Sequence, residues 1–466
     1  MEQQKALDTL SKALENLANF ISNYHNLIDV CMVDFVTKDV FDNAVPNDLK
    51  EDLQKLNDNE ICALPEKFFG TEDITISNKQ PLNQLINELR QHTIESLCTV
   101  DSTNSFINKL DLYNNAHKGT SLKHFDKFMS DKKMHEVVVM SELVKYLTME
   151  SSVQTLIDLG SGKAYLSQVL SATCDNLRIL AIDSSKVNSE GAKKRSDRLD
   201  TKWDALKKRA DYRASGVEPP VRSKHAASKK CDKQEQKIDN ESNDSVKRNR
   251  FEDTLKYVTK FVDMETDLQS LVKDSFPRDH NSVPRLDDTH LGLIGLHTCG
   301  NLAADSIKIW ATNKSIKFLC NVGCCYHHID EEFYRNPYLL NGETDKSIPS
   351  FPLSTQLKKG GYQLGRNARM VAAQPMDRLK ANKQLPNESL LWRAILQHIL
   401  LIHIPDLHFA NQQVRNMSIF IRYFCKIYNL PNFYFNRAIT IFMILLFYNC
   451  HNIYRLVGLQ QNVKHS

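Results

Sequence analysis

Two hydrophobic periodicities divide the chain. Up to about residue 128, apolar residues recur every three or four positions: Leu7, Leu10, Leu14, Leu17, Ile21, Tyr24 and Ile28 form one stripe along a long first helix. Residues 48–56 and 81–97, the latter with Leu82, Leu85, Ile86, Leu89 and Ile94, predict shorter helices separated by Pro, Gly and Asn breaks. From residue 153 to about 330 the pattern changes to short, continuous apolar runs of strand length, at 155–159, 177–182, 255–262, 291–296 and 318–322. Amphipathic stretches lie between several of these runs, and one at 131–147 (DKKMHEVVVMSELVKYL) feeds the first. Such alternation predicts an α/β domain, a Rossmann-like, doubly wound and mostly parallel sheet with helices on both faces.

In a sheet of that kind ligands lie beyond the carboxyl ends of the strands. The first run ends in Asp158 and the turn Gly160-Ser161-Gly162, and the second ends in Asp183, about 20 residues after the glycines. Strand, glycine turn, helix, strand, acid is the order in which backbone N–H groups at a helix start face an anionic group and a later carboxylate holds ribose hydroxyls. Position 165, where a dinucleotide fingerprint would carry its third glycine, is Tyr165, which favours a ligand of mononucleoside size. The third run ends in Asp263 and Met264, placed to reach an adenine amino group across the strand ends. The fourth is followed by His297, the candidate general base because an imidazole titrates near neutrality.

Charge separates one further segment. The whole chain carries a net charge of only +4, but residues 193–252 hold about 18 Lys/Arg against about 11 Asp/Glu. Poor in aromatics and rich in Lys, Ser, Asn and Asp, that segment reads as a disordered basic insertion able to meet RNA or an acidic partner. The remaining composition is that of a globular protein, with 41% hydrophobic and 25% charged residues. The first ten residues lack the features of a secretory signal, and the longest apolar run of the tail, 438–448, is too short to span a bilayer. With eleven scattered cysteines, reduced thiols and an intracellular location, cytoplasmic or nuclear, are expected.

His297, Cys299, Cys324, Cys325, His327 and His328 invite a metal reading, but no CxxC knuckle is present and adjacent residues rarely ligate one ion, so no metal is expected. Cys299 and Cys324 are also considered as nucleophiles, a role that needs a lowered thiol pKa. An Asn/Asp-Pro-Pro-Tyr turn of the adenine-methylating kind is missing: the turn after the fourth run is HTCGN, and Asn336-Pro337-Tyr338 comes later.

The reading ΦDLGSG resembles the first motif of the class I methyltransferases, whose ligand, S-adenosylmethionine, is of the size the turn favours. KKMHEV, IDLGSGKAYLS, GLHTCGNLAADSI, VGCCYHHI and FPLS, in that order, resemble the methyltransferase-like protein 25 family, related to the ribosomal RNA adenine dimethylase domain-containing proteins. The resemblance covers roughly residues 120–400. It implies a methyltransferase domain using S-adenosylmethionine, with Gly160, Gly162 and Asp183 on the cofactor, and leaves the acceptor, RNA or protein, open. One departure is Ala164, where the family tends to have glycine. The expected organisation is a helical region at 1–128, a methyltransferase domain at 129–192 and 253–403, the insertion at 193–252, and a divergent tail at 404–466. The proposed site is Asp158, Gly160, Ser161, Gly162, Asp183, Asp263 and Met264 on the cofactor, with His297 as base. A non-catalytic binding protein of the same fold, contacting RNA or an acidic partner through the insertion, is the alternative.

Overall fold

The computed structural model describes residues 2–69, 76, 79–92, 129–174, 176–214, 251–277, 290–334, 349–373 and 389–403. Six helices come first: α1 (Glu2–Asn23), α2 (His25–Ile28), α3 (Val40–Ala44), α4 (Asn47–Gln54), α5 (Asp58–Phe69) and α6 (Gln80–Gln91). The long helix α7 (Asp131–Glu150) leads into β1 (Thr155–Leu159), α8 (Tyr165–Thr173), β2 (Arg178–Asp183) and α9 (Lys186–Ala214). Then come β3 (Leu255–Thr259), α10 (Leu268–Ser275), β4 (Leu291–Cys299), α11 (Asn301–Thr312) and β5 (Ile316–Cys324). Helices α12 (Thr355–Lys359), α13 (Arg366–Ala372) and α14 (Ser389–His403) close the described chain.

All five expected strands form, in the order β3-β2-β1-β4-β5. β1 pairs in parallel with β2 on one side and β4 on the other, and β2 pairs in parallel with β3. Every residue of β1 is buried, as a central strand covered on both faces requires. The strand order reverses between β1 and β4, and at such a switch point the connections diverge and leave a crevice at the carboxyl ends. The α/β reading is therefore right in its elements and in its topology.

The chain forms two compact units. One holds residues 103–298 and 305–323, with the sheet's core built from Leu156, Leu170, Ile179, Ala181, Ile294 and Phe318. Helix α7 adds Val137, Met140 and Val144 to this core. The other unit gathers residues 1–102, 299–304 and 324–466. Its core joins Leu10, Leu14, Leu17 and Ile21 of α1 and Leu82, Leu85 and Leu89 of α6 to Ile329, Phe351, Leu357, Leu364 and Val371. The α1 stripe is buried as its spacing requires, except that Leu7 is exposed.

Of the segment after β5, Phe351, Leu357, Leu364 and Val371 share their core with the N-terminal helices. Residues 193–214, read from the sequence as part of the basic insertion, belong to α9, which runs on to Ala214. Its order has a physical source: Ala192, Ser196, Leu199 and Trp203 are buried on one helical face. Gln168 of α8 ties that face down by donating to the Ala192 carbonyl at 3.1 Å. Residues 215–250, the tail from 404 and Asn336-Pro337-Tyr338 lie outside the described residues.

Candidate active site

The turn after β1 is shaped by three left-handed residues: Gly160 (φ 63°), Gly162 (φ 56°) and Ala164 (φ 52°). The two glycines adopt that conformation without steric cost, and a Cβ built on Gly162 would meet nothing within 4 Å, so the turn backbone opens onto free space. Ala164, the position at which the family tends to carry glycine, is fully buried and precedes α8. Its left-handed backbone costs about 1–2 kcal/mol for a residue with a Cβ.

Asp183, at the end of β2, holds this turn. Its carboxylate accepts the Gly162 N–H at 2.8 Å, the Ser185 N–H at 2.8 Å and the Asn188 side-chain amide at 3.1 Å. A carboxylate offers about four acceptor positions, so three of them are engaged and about one remains. Asp158 plays a different part. It is buried under the turn, where it accepts a hydrogen bond from the Ser167 hydroxyl at 2.5 Å. Burial pushes its carboxyl up to about 7, opposed by the Ser167 hydrogen bond and reinforced by the Asp183 charge.

A cleft of about 280 Å³ opens beside the turn, lined by Asp158, Gly160, Ser161 and Gly162 with Lys133, Tyr165, Asn188 and His297. That volume is near the lower edge of small-molecule sites, roughly 300–1,000 Å³. Its walls come from β1 and β4, on the two sides of the switch point. Lys133 reaches in from the first turn of α7, its ammonium 5.1 Å from the centre of the Tyr165 ring, and the Arg195 guanidinium lies 4.3 Å from the same ring. Lys163 also lines the cleft, so positive charge collects beside the glycine turn. His297 is about half exposed, with Nε2 3.4 Å from a carboxylate oxygen of Glu136.

The structure thus brings Asp158, Gly160, Ser161, Gly162 and His297 to one cleft, with Asp183 behind it as the support of the turn. It does not bring Asp263 and Met264 there. The Asp263 carboxylate accepts from the Glu265 N–H and the Thr266 hydroxyl in the loop after β3, and the Met264 side chain is exposed. Strand β3 ends at Thr259, short of the expected residue 262, so this acid sits on a loop of its own. Lys133, Glu136, Tyr165 and Asn188 were absent from the expected site. The charged cluster at 132–136 was visible in the sequence, but only the packing of α7 against the sheet shows which members turn inward.

The cysteines are also rearranged relative to expectation. Cys299, Cys324 and Cys325 have their sulfurs within 4.8 Å of one another, although adjacent residues were expected not to share a site. The nucleophile reading finds no support at Cys324, because burial raises its thiol pKa.

A parallel sheet of this order, with a glycine turn, a supporting acid and a cationic cleft at the switch point, defines a Rossmann-like domain. Residues 132–332 match the family model described as a methyltransferase domain. The chain is 27% identical over 432 residues to a human protein described as "Probable methyltransferase-like protein 25", covering 75% of this chain and 64% of the relative. The mouse protein of the same name is 27% identical over 473 residues, covering 84% of this chain and 78% of the relative. The resemblance read from the motifs is therefore upheld, and the chain's match spans just under two thirds of the human protein. No solved structure matches the chain. Among the described residues no helix is long and apolar enough to cross a membrane.

Proposed function

We propose that this chain transfers a methyl group from S-adenosylmethionine to an acceptor, RNA or protein, held at the mouth of the cleft. The observation that carries this reading is the Gly162 N–H bound to the Asp183 carboxylate beneath an open glycine turn. A cofactor of nucleoside size fits that turn, because the left-handed Gly162 leaves the space beside it free. Bound there, S-adenosylmethionine supplies an electrophilic methyl group on a sulfonium. Asp183 has about one acceptor position left for a ribose hydroxyl. Lys133 and Lys163 offer charge to a carboxylate. His297, with Glu136 to orient its ring, is the group placed to take a proton from an acceptor, and alignment of that acceptor is the larger contribution to rate.

Isothermal titration of the full chain with S-adenosylmethionine tests the first half. Binding is expected, and Gly162→Val, which places a branched side chain in the open space and strains the turn, is expected to abolish it while the far-ultraviolet circular dichroism stays unchanged. Absence of binding by the unaltered, folded chain sinks the cofactor claim. Transfer of tritiated methyl groups to RNA and protein fractions tests the second half. Binding without transfer to either fraction supports a non-catalytic protein that keeps the fold, the second reading drawn from the sequence.

A further inference from the structure

We propose that Cys299, Cys324 and Cys325 together bind one Zn²⁺ as thiolates. The three sulfurs lie within 4.8 Å of one another, and the Cys299 and Cys324 sulfurs are 2.9 Å apart. Tetrahedral zinc with bonds of about 2.3 Å sets its sulfurs about 3.8 Å apart, so small side-chain rotations fit the ion.

Two turns build the cluster. Gly300, with φ 57°, follows Cys299, and its N–H donates to the Cys324 carbonyl at 3.0 Å, which clips the ends of β4 and β5 together. A Cβ at Gly300 would lie 2.9 Å from both Cβ and the carbonyl oxygen of His328, so only glycine lets these segments approach so closely. Cys325 is the second device. In an extended strand its side chain would point away from that of Cys324. Its φ of 52° breaks that alternation and turns its sulfur back to the same point. A left-handed backbone is costly for cysteine, and it is found here at the residue whose thiol completes the set.

A Cys299–Cys324 disulfide would use two of these sulfurs and give no reason for the third. A cation uses all three. Thiolates select soft or borderline ions, and with three thiolates on Zn²⁺ one tetrahedral position is left for an exchangeable ligand. Binding releases the thiol protons to solvent, up to three per ion.

The full chain, purified under reducing conditions without chelator, is expected to hold one zinc by elemental analysis. Cobalt replacing it should give the intense thiolate charge-transfer and visible bands of a tetrahedral site. Cys299→Ser and Cys325→Ser are each expected to weaken zinc binding more than about a hundredfold, beyond the loss typical of an outer-shell contact. Cys174→Ser should leave binding unchanged. If the variants fold poorly, the unaltered chain still decides the matter: zinc should protect Cys299, Cys324 and Cys325, but not Cys174, from alkylation, and chelation should remove that protection. The proposal is overturned if the reduced chain takes up no stoichiometric metal. It is equally overturned if the Cys299→Ser/Cys325→Ser double variant keeps full binding, or if the native protein carries a Cys299–Cys324 disulfide.

Discussion

At the scale of single residues, the acids at the strand ends show how far sequence reaches. The position of Asp158 and Asp183 at the ends of adjacent parallel strands was legible from two apolar runs and a glycine turn. Their division of labour was not, because it depends on which carboxylate the turn covers. Asp183 holds backbone N–H groups, whereas Asp158 lies in the core with one hydroxyl partner. That burial makes a pH prediction. The Asp158 carboxyl, raised from 3.8 to about 7, favours the folded state when protonated. Its contribution is therefore fully present below about pH 4 and is lost as pH rises through about 7. A shift of that size corresponds to about 4 kcal/mol. Asp158→Asn stays neutral throughout, so it should be the more stable form at pH 8, and the difference should vanish or reverse at pH 5. Urea midpoints of both proteins across that range are the measurement, and parallel profiles would refute the assignment.

Among the elements, helix α9 was read only in part, since its buried stripe consists of Ala192, Ser196, Leu199 and Trp203 amid a dense run of Lys, Arg and Asp. The spacing is helical, but two of its four members are too small or too polar to register as hydrophobic, and charge content outweighed periodicity. Helix α5 was missed for another reason, a proline at position 65 within its span. Helix α13 depends on an interaction that no pattern announces. The Arg369 guanidinium meets the Glu331 carboxylate at 2.9 Å, both side chains buried, and donates to the carbonyls of Gly365, Tyr326 and Ile329. Glu331 also accepts the N–H groups of Leu364 and Gly365. Burial raises the Glu331 pKa, and the Arg369 charge opposes that rise. Arg369→Met removes the opposing charge and leaves a buried carboxylate unpaired, at a cost of about 3–5 kcal/mol. The loss should shrink as the pH is lowered and the unpaired Glu331 carboxylate takes up a proton. Adding Glu331→Gln should recover part of the stability in a double-mutant cycle. Strict additivity of the two changes would show that the pair is not coupled.

For the whole molecule, the periodicities gave each region its class but not its packing partner. Residues 349–373 come after the last strand in sequence, beside the methyltransferase domain. Their apolar side chains instead fill a core with the first helices, a pairing across more than 300 positions that no local pattern records. The N-terminal region is thus the partner on which the segment after β5 folds. Ile329, Phe351, Leu357, Leu364 and Val371 are all buried in that shared core. At about 1.5–3 kcal/mol for each large apolar side chain, their burial supplies on the order of 10 kcal/mol, comparable to the whole stability of a typical domain. A fragment beginning at residue 129 therefore cannot keep this segment folded, while the sheet retains its own core of Leu156, Ile179, Ile294 and Phe318. Hydrogen exchange on such a fragment should show protected amides in β1, β2 and β4 and rapid exchange through 349–373. Supplying residues 1–92 in trans should restore protection to the second set alone. Protection of 349–373 in the isolated fragment would mean that the segment folds on the sheet domain after all, and the division into two units would fail with it.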